Sequence, residues 1–459
     1  MRGIIALSVY AAVMLVITLL FTKRETTADG FLTGNHRISA GISALSIAAT
    51  WIWAPALFTS TEKAYINGLP GLFGFLVPNV LCLIVFIPFA KRIRSQMPEG
   101  VSLSGYMASK YKSNRVRNIY RFQLGALSLL STAVQLLAGS KLLSFITGIP
   151  FPVLTVILAA IAYSYSQFSG IKASTVTDAV QMIFMLAACI VFVGYTFIKQ
   201  DGVIHLINGI GGISGNYSSF FDKNGIDVFI GFGLPSAIGL MSGPFGDQSF
   251  WQRAFSVKKE KIAFSFGIGA LLFAVVPLSM GILGYVAAGL KLPVNDISII
   301  NFEVISQLLP LWMIMPFLLM VVSGLISTVD SNLCSIASLC CDTSNDFSIN
   351  KSKLSMIAML AAAILIANIH GLTVTHLFLL YGTFRASTLL PTILTLKDVN
   401  LTEKGVIFGI VAALLLGFPI FACGTILNIS IYKTIGSLAT VFISGIAALV
   451  VSRREAAAA

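Results

Sequence analysis

Thirteen apolar stretches of bilayer-crossing length follow one another through this chain of 459 residues, near positions 3–22, 41–67, 70–90, 118–146, 149–168, 173–198, 226–251, 261–289, 304–341, 353–369, 371–395, 404–424 and 431–452. A transmembrane helix needs about 20 predominantly apolar residues, so these runs consume most of the sequence and leave no polar body between them. Composition agrees: 10% of the residues are charged and 56% hydrophobic, against roughly 25% charged in a soluble domain. The expected fold class is an all-α integral membrane protein of about 13 transmembrane helices. A soluble enzyme and a single-span receptor are excluded.

Charge sets the expected orientation. With the N-terminus outside, the odd-numbered connections hold twenty-one Lys and Arg, among them Lys91, Arg92, Arg94, Lys110 and Arg253. The other side holds Arg2, Lys199, Lys223, Lys291 and Lys433. Cytoplasmic loops carry the basic excess, so a multi-pass protein of the cell (plasma or inner) membrane is expected, N-terminus outside and C-terminus cytoplasmic. Topology thus accounts for the net charge of +12, and nucleic acid is not an expected partner. The six cysteines lie scattered in apolar runs without CxxC spacing, which indicates neither a disulfide framework nor a zinc site. The sequence also lacks HExxH, Ser-His-Asp spacing and a phosphate loop ending in Gly-Lys-Ser/Thr. No enzyme is expected, and energy for uphill movement has to come from an ion gradient.

Two spans are interrupted. The second contains Thr50, Pro55 and Thr59–Glu62; the seventh contains Gly239, Gly243, Pro244, Gly246 and Asp247. Pro and clustered Gly break the helical ladder, and in lipid the freed backbone groups are tolerated only where protein or a water-filled cavity receives them. The interruptions lie five spans apart, an odd offset that places their units in opposite membrane orientation. Paired broken helices at matching places point to an inverted-repeat transporter.

Ionisable residues inside spans need a reason. The densest polar group is Gly324-Leu-Ile-Ser327-Thr328-Val-Asp330-Ser331. Ser327, Asp330 and Ser331 stand at i, i+3 and i+4 and share one helix face; Gly324 leaves its carbonyl sterically open. Hydroxyls, carbonyls and one carboxylate suit a small hard cation, whereas helix-packing glue explains the hydroxyls but not Asp330. Asp178 opens the sixth span, where a helix-capping role is the alternative. Asp247 is expected to pair with Arg253. Lys141 and Arg385 are expected to snorkel from span ends.

Three stretches together resemble the sodium:solute symporter family: Leu45-Ser-Ile-Ala-Ala-Thr-Trp-Ile52, Gly170-Ile-Lys-Ala followed by Thr177-Asp178-Ala-Val-Gln181, and the Gly324–Ser331 group. The resemblance implies a leucine-transporter-like core of ten helices in a 5+5 inverted repeat, with broken first and sixth core helices, one helix before the core and two after. On this chain that gives an extra N-terminal helix and cytoplasmic loop at 1–39, a first repeat at 40–198, a second at 226–396, and two C-terminal helices and a tail at 397–459. It implies a sodium-coupled symporter working by alternating access, with Na+ as the coupling ion. The main sodium site would take the carbonyls of Ala49, Ile52 and Gly324 and the hydroxyls of Ser327 and Thr328. A further site, for a second sodium or a proton, would use Asp178, Asp330 and Ser331.

The solute would lie beside the first sodium, which implicates Trp53, Ala56, Asn79, Cys82, Gln135 and Phe245. That lining lacks the clustered polar donors expected for a sugar, and an arginine clamp for a carboxylate is not evident. Trp51-Ile-Trp53-Ala and the Gly246-Asp-Gln-Ser-Phe-Trp-Gln-Arg253 stretch are similar to the urea/polyamine branch. Urea or a similar small neutral compound is the expected solute. The alternatives are proline, another small amino acid or a monocarboxylate, and, further off, a membrane sensory module without transport.

Overall fold

The structure, a computed structural model, describes residues 2–199, 201–341, 347–372, 374–427 and 429–458. Helix α1 (Arg2–Phe21) precedes a connection holding the short α2 (Ala28–Thr33). Two residues separate α3 (Ala40–Trp51) from α4 (Ala54–Gln96), and α5 (Leu103–Tyr111) leads to α6 (Asn114–Thr147), α7 (Phe151–Ser169) and α8 (Ile171–Lys199). Next, α9 (Gly202–Gly209) and α10 (Lys223–Val228) precede α11 (Leu234–Met241), α12 (Gln248–Ser256) and α13 (Ile262–Gly289). After α14 (Ile300–Leu308) come α15 (Leu311–Cys340), α16 (Ile349–Ala367), α17 (Val374–Ala386) and α18 (Leu389–Leu396). The chain finishes with α19 (Glu403–Ala412), α20 (Phe418–Ile426) and α21 (Ser430–Ala458). Among the described residues the sole extended pairing is a single bridge between Ile38 and Val257.

Ten helices among the described residues are long and apolar enough to cross a membrane. The thirteen expected stretches follow the same path counted differently. Helix α4 carries two of them in 43 residues, α1 and α3 supply shorter apolar helices, and the stretch at 371–395 is divided into α17 and α18. Large apolar side chains such as Leu20, Ile190, Phe408 and Ile446 point outward, as a lipid-facing surface requires. The enclosed centre is α15, buried without interruption from Met320 to Ser335 and packed against α3, α6, α7 and α8.

The bend in α4 sits at Gly68, whose φ of 55° and ψ of −144° are not helical. The Leu69 amide there donates to the carbonyls of Ile210 and Tyr217 at 3.0 and 3.1 Å. A Cβ on Gly68 would lie 2.4 Å from the Tyr217 oxygen and 2.6 Å from that of Ile210. Gly68→Ala is therefore expected to destabilise the fold by about 1–3 kcal/mol, read as a lowered melting temperature in detergent. Gly148, with φ 71° and open space beside it, is the control for backbone conformation alone, and Gly148→Ala should cost less.

One face of the molecule carries Arg92, Lys110 and Asp398. Asp398 accepts from Lys110 Nζ at 2.7 Å and Arg92 Nη2 at 2.5 Å. Hydrogen bonds from Lys110 and Arg92 hold its carboxyl below the ordinary carboxylate value. The arrangement ties the end of α4 and the α5 region to the loop after α18.

Candidate cation and solute site

The first break lies between α3 and α4. Ile52, at φ −82° and ψ 78°, ends α3, and Trp53 is extended. The Ile52 amide still reaches back to the carbonyls of Ala48 and Ala49, both at 3.1 Å. Pro55 stands in the first turn of α4, where a missing amide hydrogen costs nothing. The orphan Ala54 amide donates to Gln135 Oε1 at 2.8 Å, and Gln135 Nε2 donates to the Ser131 carbonyl. Gln135, one of the residues expected beside the solute, thus satisfies the amide that the break leaves free.

Helix α15 faces this break. The Thr328 hydroxyl lies 3.2 Å from the Thr50 carbonyl of α3 and 3.2 Å from the Gly324 carbonyl one turn earlier. A Cβ on Gly324 would stand 3.1 Å from the Ile52 carbonyl oxygen, a tight contact that would press the broken stretch of backbone back by a few tenths of an ångström. Main-chain oxygens of the break, the Gly324 carbonyl and the Thr328 hydroxyl therefore share one small buried region. Ser327, also fully buried, turns its hydroxyl to Asp178 Oδ1 at 2.5 Å.

Asp178, Asp330 and Ser331 also come together, and Arg253 sits among them. Arg253 Nη2 lies 2.8 Å from Asp178 Oδ2 and 2.7 Å from Ser331 Oγ, while its Nε reaches Ser46 Oγ at 3.0 Å. All four residues are wholly buried. The expected pairing of Arg253 with Asp247 is thereby corrected: Asp247 caps α12 through the Ser249 amide and hydroxyl, at 2.8 and 2.7 Å. Six residues further along, more than one and a half helical turns, Arg253 points away from that cap and toward α8 and α15. Asp330 accepts from Tyr165 at 2.5 Å and Ser174 at 2.7 Å, partners from α7 and α8 that no sequence spacing singled out.

The solute residues divide. Trp53 faces Tyr381 of α17, ring centroids 5.6 Å apart, and lies near Trp51. Asn79 and Cys82 are buried beside them: the Trp51 indole donates to the Asn79 carbonyl at 3.1 Å, as does the Cys82 thiol. Ala56 is buried in the first turn of α4, its amide bonded to the Trp53 carbonyl. Phe245 packs instead with Phe86, Phe89 and Trp251.

Arg385 departs from expectation. It does not snorkel: it is fully buried, donates through Nε to the Gly239 carbonyl at 2.7 Å, and holds its Cζ 4.8 Å from the centre of the Tyr381 ring. Its apolar stretch is itself broken between α17 and α18 after Ala386, where Gln123 Nε2 donates to the Phe384 carbonyl and to Ser387. Arg385 thus stands at an internal break rather than at a span end. Lys141, by contrast, is half-exposed and 3.7 Å from Asp296, in keeping with its expected place.

A sequence model described as the sodium:solute symporter family matches residues 31–370. The chain belongs to the sodium:solute symporter family. Among relatives, it is 24% identical over 298 residues to the urea active transporter of Saccharomyces cerevisiae, covering 60% of this chain and 40% of that protein. It is 21% identical over 304 residues to the urea-proton symporter of Oryza sativa subsp. japonica, covering 60% and 42%. The chain therefore spans about two fifths of the length of these relatives. In three dimensions it resembles a Na+-coupled sialic acid symporter solved in a substrate-bound outward-open state, with TM-score 0.74, 18% identity and 98% of both chains covered. At that identity the likeness establishes the fold, the leucine-transporter-like arrangement expected for the family. Membership of a solute symporter family accords with the ten helices that, among the described residues, are long and apolar enough to cross a membrane.

Proposed function

We propose that this protein is a sodium-coupled symporter that imports a small neutral polar solute, urea fitting best, by alternating access. The observation that carries the reading is the meeting of Thr328 and Gly324 on α15 with the carbonyls of the α3–α4 break. Oxygen ligands of this kind, without a nitrogen or sulfur donor, suit a hard monovalent cation. Ala49, Ile52, Gly324, Ser327 and Thr328 form the main sodium site in this reading.

A cation held there bridges two elements that move against each other. It favours the arrangement in which α15 lies on the break, and that arrangement preorganises the break for solute. Each ligand then raises the affinity of the other, typically by about 5–150-fold. The inward sodium gradient drives the cycle, with the basic face and C-terminus in the cytoplasm and the N-terminus outside. Residues 40–198 and 226–396 act as the two inverted repeats, flanked by 1–39 and 397–459.

The second charge cluster bears on stoichiometry. Asp178, Asp330 and Arg253 together carry one net negative charge when both carboxyls are ionised, and a single monovalent cation balances it. A second sodium does this with Ser331 as a ligand, or a proton does it on Asp330, which Tyr165 and Ser174 already hold by hydrogen bonds. The rice relative's description as a urea-proton symporter supports keeping the proton as the second reading.

The test is uptake of labelled urea into proteoliposomes under an inward sodium gradient, an inward proton gradient, or neither. Sodium-driven accumulation that choline does not support is the expected outcome. Accumulation driven by the proton gradient alone would replace sodium by a proton, and equal uptake in all three would remove coupling altogether.

A further inference from the structure

Arg385 is a fully buried cationic side chain that the cation account leaves without a task. Its Nη1 and Nη2 have no hydrogen-bond partner among the described residues. A buried donor left unmade is costly, more so on a charged group. The side chain lines a cavity of about 300 Å³ shared with Pro55, Thr59 and Glu62 of α4, Gly239 of α11 and Thr383 of α17. The cavity therefore runs along the half of the first broken helix that begins at Trp53. The Gly246 backbone of the second break lies against Arg385 from the other side, since a Cβ there would meet the Arg385 Cβ at 2.5 Å.

Asp247 supplies the complementary group. Its Oδ1 is taken by the Ser249 amide and hydroxyl, whereas Oδ2, among the described residues, accepts the Tyr381 hydroxyl at a long 3.4 Å. At the N-terminus of α12 its negative charge is favoured by the helix dipole. Tyr381 thus has the Arg385 guanidinium over its ring and the Asp247 carboxylate at its hydroxyl, with the Trp53 ring 5.6 Å away. A two-pronged donor, a carboxylate with acceptor capacity to spare and flat aromatic faces stand together where the two broken helices meet.

We propose that Arg385 and Asp247 form the recognition site for a planar carbonyl solute bearing N–H groups: urea and simple primary amides. The Arg385 fork takes the carbonyl oxygen, Asp247 Oδ2 takes an N–H, and the rings take the faces. Arg385 and Asp247 offset one another, so a neutral solute placed between them leaves that pair balanced and a carboxylate does not. Free carboxylates are the solutes this site rejects. This rests on the symporter reading above and deepens it by assigning the solute's chemical class to two residues.

The experiment has two arms, both on the full chain in proteoliposomes. In the wild type, acetamide is expected to compete with labelled urea, while acetate and tetramethylurea, which has no N–H, are not. In variants, Arg385→Gln is expected to raise the KM for urea by about 10–100-fold, with sodium half-saturation, read at a urea concentration saturating for each protein, within about twofold of wild type. Arg385→Lys should fall between them. Asp247→Asn retains an N-cap residue and should both raise the urea KM and let acetate compete. Acetate competing with wild-type uptake as well as acetamide does would overturn the proposal. So would an unchanged urea KM in a folded Arg385→Gln protein, or a loss that tracks sodium half-saturation. If the wild type shows no sodium-driven urea uptake, the symporter reading fails instead. The site is then tested by thermal stabilisation, where acetate stabilising as well as acetamide overturns it.

Discussion

Asp178→Asn is expected to cost about 3–5 kcal/mol of stability, because it removes the carboxylate that bonds the buried Arg253 guanidinium directly and leaves only Asp330, which Tyr165 and Ser174 hold, as negative charge in the cluster. Arg253 and Asp178 both have no solvent exposure, so water cannot take over from the lost carboxylate. Ser46 and Ser331 remain as neutral hydrogen-bond partners of Arg253, but they carry no balancing charge. The paired change Asp178→Asn with Arg253→Gln removes both charges and should recover much of the loss. Melting temperatures of the two single variants and the double variant, purified in one detergent, give the coupling energy directly. A wild-type melting temperature for Asp178→Asn alone would show that Asp330 serves as a sufficient counter-ion for Arg253.

The second large effect is on ion dependence. Thr328→Ala removes the hydroxyl poised between the Thr50 and Gly324 carbonyls, and the sodium concentration for half-maximal uptake should rise about tenfold or more. Thr328→Ser keeps the oxygen and should stay near wild type. Ser327→Ala should also raise the sodium requirement, and it touches the neighbouring cluster through the lost bond to Asp178. An unchanged sodium requirement in Thr328→Ala would move the ion elsewhere.

Much of this was legible in the chain because membrane helices advertise themselves by length and apolarity. Their breaks advertise themselves by Pro and Gly: Pro55 lies in the first turn of α4, and Gly243 and Gly246 fall in the turn between α11 and α12. The i, i+3, i+4 spacing of Ser327, Asp330 and Ser331 reads directly as one helix face, and all three are buried. What stayed hidden depends on neighbours distant in sequence. Arg253 lies six residues from Asp247 but pairs with Asp178, 75 residues away, because α12 is buried over its whole length and turns that side chain toward α8. A signal was present in its flanking Phe250, Trp251 and Phe255, unusual company for a loop cation. Arg385 was misjudged by counting residues to a span end, a measure that loses its meaning when the helix breaks one residue later. That the Ala54 amide at the break takes the Gln135 oxygen is likewise invisible in the sequence, because the two residues lie 81 positions apart on different helices.

The measurement closest to the central claim is sodium-dependent thermal stabilisation of the purified protein without solute. A ligand that binds only the folded state stabilises it by about 2.7 kcal/mol at one hundred times its Kd. Sodium chloride should raise the wild-type melting temperature above that in equimolar choline chloride, and Thr328→Ala should abolish most of the difference. Equal melting temperatures in the two salts, or a full sodium response in Thr328→Ala, would contradict an ion held between the α3–α4 break and α15.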